Sequence, residues 1–254
     1  MVSQTKAVQF GNIQLGTGIP KIAVPITGKT SDEVIQQAEK IILEKPDLVE
    51  WRIDFFNDVT DADKLKAIAE KLRSTLNVPL LTTFRTHGEG GELELSDEKY
   101  FEICHNIIAF GQTDGVDIEL YHESNSVLSL LVAAKEQGIV SIMSNHDFEK
   151  TPDKIDIENR LTKMSEMGAD VAKMAVMPET ADDVLTLLEA TNNVQNKLAT
   201  PIITMSMGDL GKVTRISGEV FGSAVTFATV GAASAPGQIP INNLRNDLND
   251  LKLK

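Results

Sequence analysis

Apolar and polar positions along the chain alternate between two periods. Short β-rich runs recur from residue 21 onward and alternate with amphipathic helical stretches. The predicted strands are Lys21–Pro25, Asp47–Arg52, Pro79–Arg85, Gly115–Leu120, Ile139–Ser144, Asp170–Met174, Pro201–Ser206 and Ala224–Phe227. Between them run helical stripes such as Val34, Ala38, Ile41 and Ile42, or Leu65, Ile68, Ala69 and Leu72. Thr30 and Glu33 have capping-box spacing ahead of the first helix. A short helix is expected over Val213–Phe221, and a last one carries Ile241, Leu244, Leu248 and Leu251. Strands joined by helical crossovers run parallel, and eight such units in one chain most simply close into a (β/α)8 TIM barrel. The residues from Ala7 to Gly16 alternate around Gly11-Asn12, so residues 1–20 are expected to form a β-hairpin cap on a single barrel domain spanning 1–254. An open doubly wound sheet is disfavoured, because no G-x-G-x-x-G follows the first strand.

Composition narrows the function. The 254 residues carry 24 Lys+Arg against 37 Asp+Glu, a net charge of −13, with 42% hydrophobic residues and one cysteine. Disorder and a disulfide scaffold are excluded. An acidic chain without a basic block is a poor nucleic-acid binder, since that affinity is built on Lys and Arg neutralising phosphates. No apolar run reaches the ~18–20 residues that span a bilayer, so no membrane partner is expected. The first 16 residues lack an apolar signal core, and the lone Cys104 suits a reducing cytoplasm.

In a barrel, chemistry sits at the C-terminal ends of the strands and in the loops beyond them. Glu50, Arg52, Arg85, Glu89, Glu119, His146 and Lys173 all fall there. Period-two alternation places Glu50 and Arg52 on one face, toward the barrel axis if Trp51 packs outward. Lys173 interrupts an apolar strand. It either pairs with Glu119 or Asp170, snorkels from the strand end, or is a desolvated amine able to form an imine with a ketone. His146 either caps a helix or moves protons at neutral pH, with Glu89 or Asp147 to fix its tautomer. Arg52, Arg85 and Arg215 suit either salt bridges or the planar recognition of a carboxylate. His105 and His122 read as a mid-helix and a turn residue, and His87 lies in a Gly-rich loop. The small-residue loops Gly88–Gly91 and Gly231–Gln238 read as flexible connections, or, for the second, which follows the eighth strand, as a phosphate cradle or a lid.

The order and spacing of several segments resemble the type I 3-dehydroquinate dehydratase (3-dehydroquinase) family. They are Glu50-Trp51-Arg52, Thr83-Phe84-Arg85 with Glu89-Gly90-Gly91, Ser144-Asn145-His146-Asp147-Phe148 and Gly168-Ala169-Asp170 before Lys173. Met205-Ser206-Met207-Gly208, Gly218-Glu219-Val220-Phe221-Gly222-Ser223 and Ala233-Ser234-Ala235-Pro236-Gly237-Gln238 continue the match over nearly the whole chain. The resemblance implies a homodimeric TIM barrel without metal or organic cofactor, a lyase acting on 3-dehydroquinate in the shikimate pathway. It makes Lys173 the imine-forming lysine, His146 the proton-transfer residue and Glu89 its orienting carboxylate. It puts Arg215, Ser234 and Gln238 at the substrate carboxylate and lid, Glu50, Arg52 and Arg85 at the ring hydroxyls and anion, and Met205 and Phe227 in the apolar wall. Pro25 stands where some members carry a small hydroxyl residue. A Schiff-base aldolase on the same barrel and a silent acid-binding barrel are the competing readings. The first lacks a clear phosphate site here, and the second is disfavoured by the presence of both Lys173 and His146.

Overall fold

The expected alternation is realised in a computed structural model that describes residues 7–231 and 233–253. Residues 1–6 of the expected cap and Ala232 of the second small-residue loop lie outside the described residues. The chain opens with an antiparallel pair, β1 (Val8–Phe10) and β2 (Ile13–Leu15), turning at Gly11 with φ 55°. There follow β3 (Lys21–Ile26), α1 (Ser31–Leu43), β4 (Leu48–Arg52), α2 (Ala62–Thr75), β5 (Leu80–Thr83), α3 (Asp97–Phe110), β6 (Gly115–Glu119) and α4 (Ser124–Glu136). The second half holds β7 (Val140–Asp147), α5 (Lys154–Glu166), β8 (Val171–Val176), α6 (Ala181–Gln195), β9 (Ile202–Ser206), α7 (Lys212–Ile216), α8 (Gly218–Phe221), β10 (Val225–Thr229), β11 (Ile239–Pro240) and α9 (Ile241–Asp250).

The parallel strands run in the order β11-β10-β3-β4-β5-β6-β7-β8-β9. The sheet closes on itself where Ile202 bridges Ser223 just ahead of β10 and the Ala224 N–H donates to the Ile202 carbonyl at 2.8 Å. At this seam the Ser223 hydroxyl replaces ladder bonds, accepting from the Thr204 N–H at 3.0 Å and donating to the Thr204 carbonyl at 3.2 Å. The fold is the expected (β/α)8 barrel. Strand residues alternate between an outer layer packed on the helices, which includes Val49 and the fully buried Trp51, and an inner one. The inner base is apolar: Ala23, Leu48, Leu81, Ile142, Val171, Ile203 and Val225 cluster with Phe10 and Leu15 of the hairpin. Two residues further along β4, β6 and β8 the inner positions become Glu50, Asp117 and Lys173, so the polar site rests on a dry floor.

Three local expectations change. Thr30 accepts from the Glu33 N–H, but the Glu33 carboxylate accepts from Lys29 rather than Thr30, so only half of that capping box forms. The expected Val213–Phe221 helix breaks at Ser217, and Gly218 comes so close to the seam that a Cβ would lie 2.8 Å from the Ser223 carbonyl. β7 extends to Asp147, which places His146 inside a strand rather than after one.

Gly115 shows how the hairpin seats. A Cβ there would fall 2.3 Å from the Phe10 ring. Gly115→Ala is therefore expected to cost about 1–3 kcal/mol by overpacking, seen as a lower urea midpoint with an unchanged slope.

Candidate active site

Lys173 points inward from β8 and is 3% exposed. Its Nζ donates to Asp117 Oδ2 at 3.0 Å, stands 3.7 Å from Glu50 Oε1, and lies 5.0 Å from the centroid of the Phe227 ring. The partners are therefore neither Glu119 nor Asp170. Asp170 accepts instead from the backbone and hydroxyl of Ser141. Asp117 was not singled out in the sequence, although a carboxylate in phase with Glu119 on an apolar parallel strand was a usable signal.

His146 lies on the neighbouring strand, where β7 pairs Ser144 with Lys173 and His146 with Ala175. Its ring is thus one pleat nearer the mouth than the amine. His146 Nδ1 is 2.9 Å from Glu89 Oε2, and the same oxygen accepts the His146 backbone N–H at 3.0 Å. Glu89 Oε1 accepts from Asn145 Nδ2 at 2.9 Å. Four donors, counting Arg85 Nη1 at 3.4 Å, converge on this carboxylate. With Nδ1–H bonded to Glu89, the lone pair of Nε2 is left as the base. Glu89 is held by the His87–Glu89 turn, which ends at Gly90 with φ 83°. A Cβ on Gly90 would meet the Phe148 ring at 2.3 Å, so glycine serves both the conformation and the contact.

The arginines divide into two kinds. Arg85 Nη1 donates to Glu119 at 2.7 Å and to Ser144 Oγ at 3.0 Å, and Nη2 donates to Asp117 at 2.7 Å. Arg52 forks onto Asp54 through Nε and Nη2, both at 2.8 Å. Asp54 also accepts from the backbone of Arg85 and Glu92, a tie across two loops that the sequence pattern did not reveal. Arg215 is different: it is 2% exposed and makes no salt bridge to a described residue. Its Nη2 donates to the Pro236 carbonyl at 2.9 Å, Nη1 lies 3.9 Å from the Met205 sulfur, and Nε is buried without a partner. Burial alone pushes this guanidinium down to about 10. Beside it the last loop is clasped, with Gln238 Nε2 donating to Ser234 Oγ at 3.0 Å and the Ser234 N–H to Gln238 Oε1 at 3.1 Å.

One pocket of about 490 Å³, measured out to its open mouth, brings these groups together. Glu50, Arg52, Arg85, Glu89, His146, Lys173, Met205, Arg215, Phe227, Ser234 and Gln238 all line it. Gly90, Phe148, Ala175, Met207 and Ala235 complete the wall. Among the described residues, no group of three or more His, Cys, Asp or Glu side chains is arranged to hold a metal.

The charges are mutually tuned. Burial works against ionising Asp117, but Arg85, Lys173 and the Ser144 hydroxyl outweigh it and hold its carboxyl at about 2. Burial, followed by Arg85, Lys173 and Arg52, keeps His146 well below its ordinary value, so the ring is neutral. Burial and then Glu119 push the Glu89 carboxyl up, against the pull of Arg85 and Asn145. A buried amine and a neutral imidazole in one pocket, with a guanidinium that has no salt bridge to a described residue, are equipped for carbonyl chemistry on an anionic substrate.

Known proteins share this architecture. The model of the family described as Type I 3-dehydroquinase matches residues 22–254. A 3-dehydroquinate dehydratase from Lactiplantibacillus plantarum is 56% identical over 248 residues, covering 97% of this chain and 98% of the relative. One from Listeria innocua is 50% identical, with 93% and 94% covered. Among solved structures, the type I 3-dehydroquinate dehydratase from Clostridium difficile with covalently modified comenic acid superposes with a TM-score of 0.94 at 43% identity, covering 98% of each chain. The Geobacillus kaustophilus enzyme gives 0.95 at 38% identity, covering 99% of this chain and 98% of that one.

Proposed function

The chain belongs to the type I 3-dehydroquinase family and acts as a 3-dehydroquinate dehydratase of the shikimate pathway, and from that premise we propose that it works through an imine on Lys173 with His146 as the acid and base. The observation that carries this reading is the enclosure of Lys173 next to a neutral His146 whose Nδ1 is held by Glu89.

The steps follow from the groups in the pocket. Attack on the ketone needs the lone pair of Nζ, so the ammonium gives a proton to His146 Nε2 as the C–N bond forms. The imidazolium returns it to the carbinolamine hydroxyl, and water leaves a protonated imine. That cation withdraws electrons from the adjacent carbon, whose C–H becomes acidic. His146, neutral again, takes this proton and the electron pair moves into an enamine. The enamine expels the ring hydroxyl, His146 protonates the departing oxygen, and a second water leaves. Hydrolysis of the conjugated imine restores Lys173 and releases 3-dehydroshikimate. One of the two waters lost is restored in that hydrolysis, so the net change is the loss of one water. Asp117 and Glu50 steady the nitrogen throughout, and Glu89 keeps Nε2 aimed at the substrate.

Arg215 takes the substrate carboxylate in this reading, supported by its buried, otherwise unmatched charge, with Ser234 and Gln238 closing over it. Glu50, Arg52 and Arg85 face the ring hydroxyls, and Met205 and Phe227 supply the apolar wall. A buried charge-assisted contact is worth about 2–5 kcal/mol on truncation, so Arg215→Ala is expected to raise KM by roughly 30-fold or more. Initial rates followed by the conjugated enone absorbance check this, and a loss confined to kcat contradicts the assignment. The family resemblance also supports a cytoplasmic homodimer, checked by a solution mass twice the 27.7 kDa of one chain.

A further inference from the structure

The sequence pattern reads His122 as a turn residue, but its side chain is largely buried behind the active site. The ring stacks on Tyr100 at 4.2 Å between centroids and 16° between planes. Its Nδ1 is 3.0 Å from Asp97 Oδ1 and its Nε2 is 3.3 Å from Glu119 Oε2. Both ring nitrogens face carboxylates, and both can donate only when the ring is an imidazolium. Glu119 leads directly to the catalytic groups. Its Oε1 accepts from Arg85 Nη1 at 2.7 Å, and that same nitrogen reaches Glu89 at 3.4 Å. Four inward carboxylates, Glu50, Glu89, Asp117 and Glu119, share two cations, Arg85 and Lys173, because Arg52 is taken by Asp54.

We propose that His122 is a positioning residue for this reaction, a buried imidazolium that shares the Glu119 charge with Arg85 and so lets Arg85 also reach the Glu89 carboxylate that holds His146. The inference rests on the roles of Glu89 and His146 given above. Burial opposes charge on His122, but Glu119 and Asp97 outweigh it and raise the ring above its ordinary value. The other groups around the ring do not compete. Burial pushes both the Tyr100 hydroxyl and the Cys104 thiol behind it up, so both stay neutral. Arg160 and His87 line the outer groove that His122 also borders.

The sign of the effect follows. Glu119 is the largest charge pushing Glu89 toward protonation. Without the positive ring, Glu89 keeps its proton to higher pH, and His146 loses its orienting acceptor over that range. The acid limb of kcat in His122→Gln is therefore expected to move up by about half to one pH unit, with activity recovering at alkaline pH. Asp97→Asn, a change at an exposed side chain, moves it by less in the same direction. Nitrogen-15 spectra of the intact wild-type enzyme at pH 7.5 should show one imidazole with both nitrogens protonated that is lost in His122→Gln. A neutral His122, or a limb unmoved in both variants, overturns the proposal. Glu89→Gln separates this from the underlying reading: if the acid limb survives that change unaltered, the assignment of Glu89 fails, whatever His122 does.

Discussion

Lys173→Met is expected to abolish turnover, lowering kcat by more than about 10⁴-fold, because it removes the covalent route and not only a helper to it. Methionine keeps the length and apolar stem of the side chain, so the dry base of the barrel survives and a thioether replaces the charged nitrogen over the Phe227 ring. The substitution does leave Asp117 with Arg85 and Ser144 as its remaining partners. A circular dichroism spectrum and a thermal midpoint near those of the wild type must accompany the kinetic loss. Residual activity within tenfold of wild type would show that the amine is not the nucleophile.

His146→Ala should be the second largest loss, about 10²–10⁴ in kcat, the range a positioned acid–base group supplies. Because imine formation, dehydration and hydrolysis all pass protons through Nε2 in the proposed route, the variant should form the Lys173 adduct slowly and turn it over slowly. Rapid-quench samples are expected to show the covalent adduct rising later than in the wild type. The pH dependence of the intact enzyme follows from the same pair. His146 is depressed and Glu89 raised, so as the pH falls the carboxyl takes up a proton before the ring becomes cationic. Activity should therefore decline on the acid side along a limb set by Glu89, above the ordinary glutamate range of ~4.3, and Glu89→Gln should erase that limb.

The barrel was legible because its two signals are local. Period-two strands and 3.6-period helices can be read within windows of ten residues, and the inward phase of Glu50 and Arg52 followed from outward packing of Trp51. That the expected site residues would share one pocket was legible because most of them fall on the later part of a strand or in the segment beyond it. Their partners were not, since pairing across the barrel depends on register and on the stagger of the strands. Lys173 meets Asp117, 56 residues away, rather than Asp170 close to it in sequence. Arg52 is claimed by Asp54 through a tight turn, Ile53–Phe55, with no apolar period to announce it. His122 gave no sign because its meaning needs Asp97, 25 residues away on α3, and Tyr100 beneath the ring, which only folding brings to the nearby Glu119. The break at Ser217 was hidden for a related reason: the close contact of Gly218 with Ser223 belongs to the barrel seam, a property of closure and not of the helix itself.

The most direct measurement is borohydride reduction of the native enzyme during turnover of 3-dehydroquinate, followed by peptide mass mapping. The account predicts a stable adduct on the peptide containing Lys173, proportional to lost activity and absent from Lys173→Met. An unmodified Lys173 peptide in enzyme inactivated by that treatment, or an adduct on a different lysine, would contradict it.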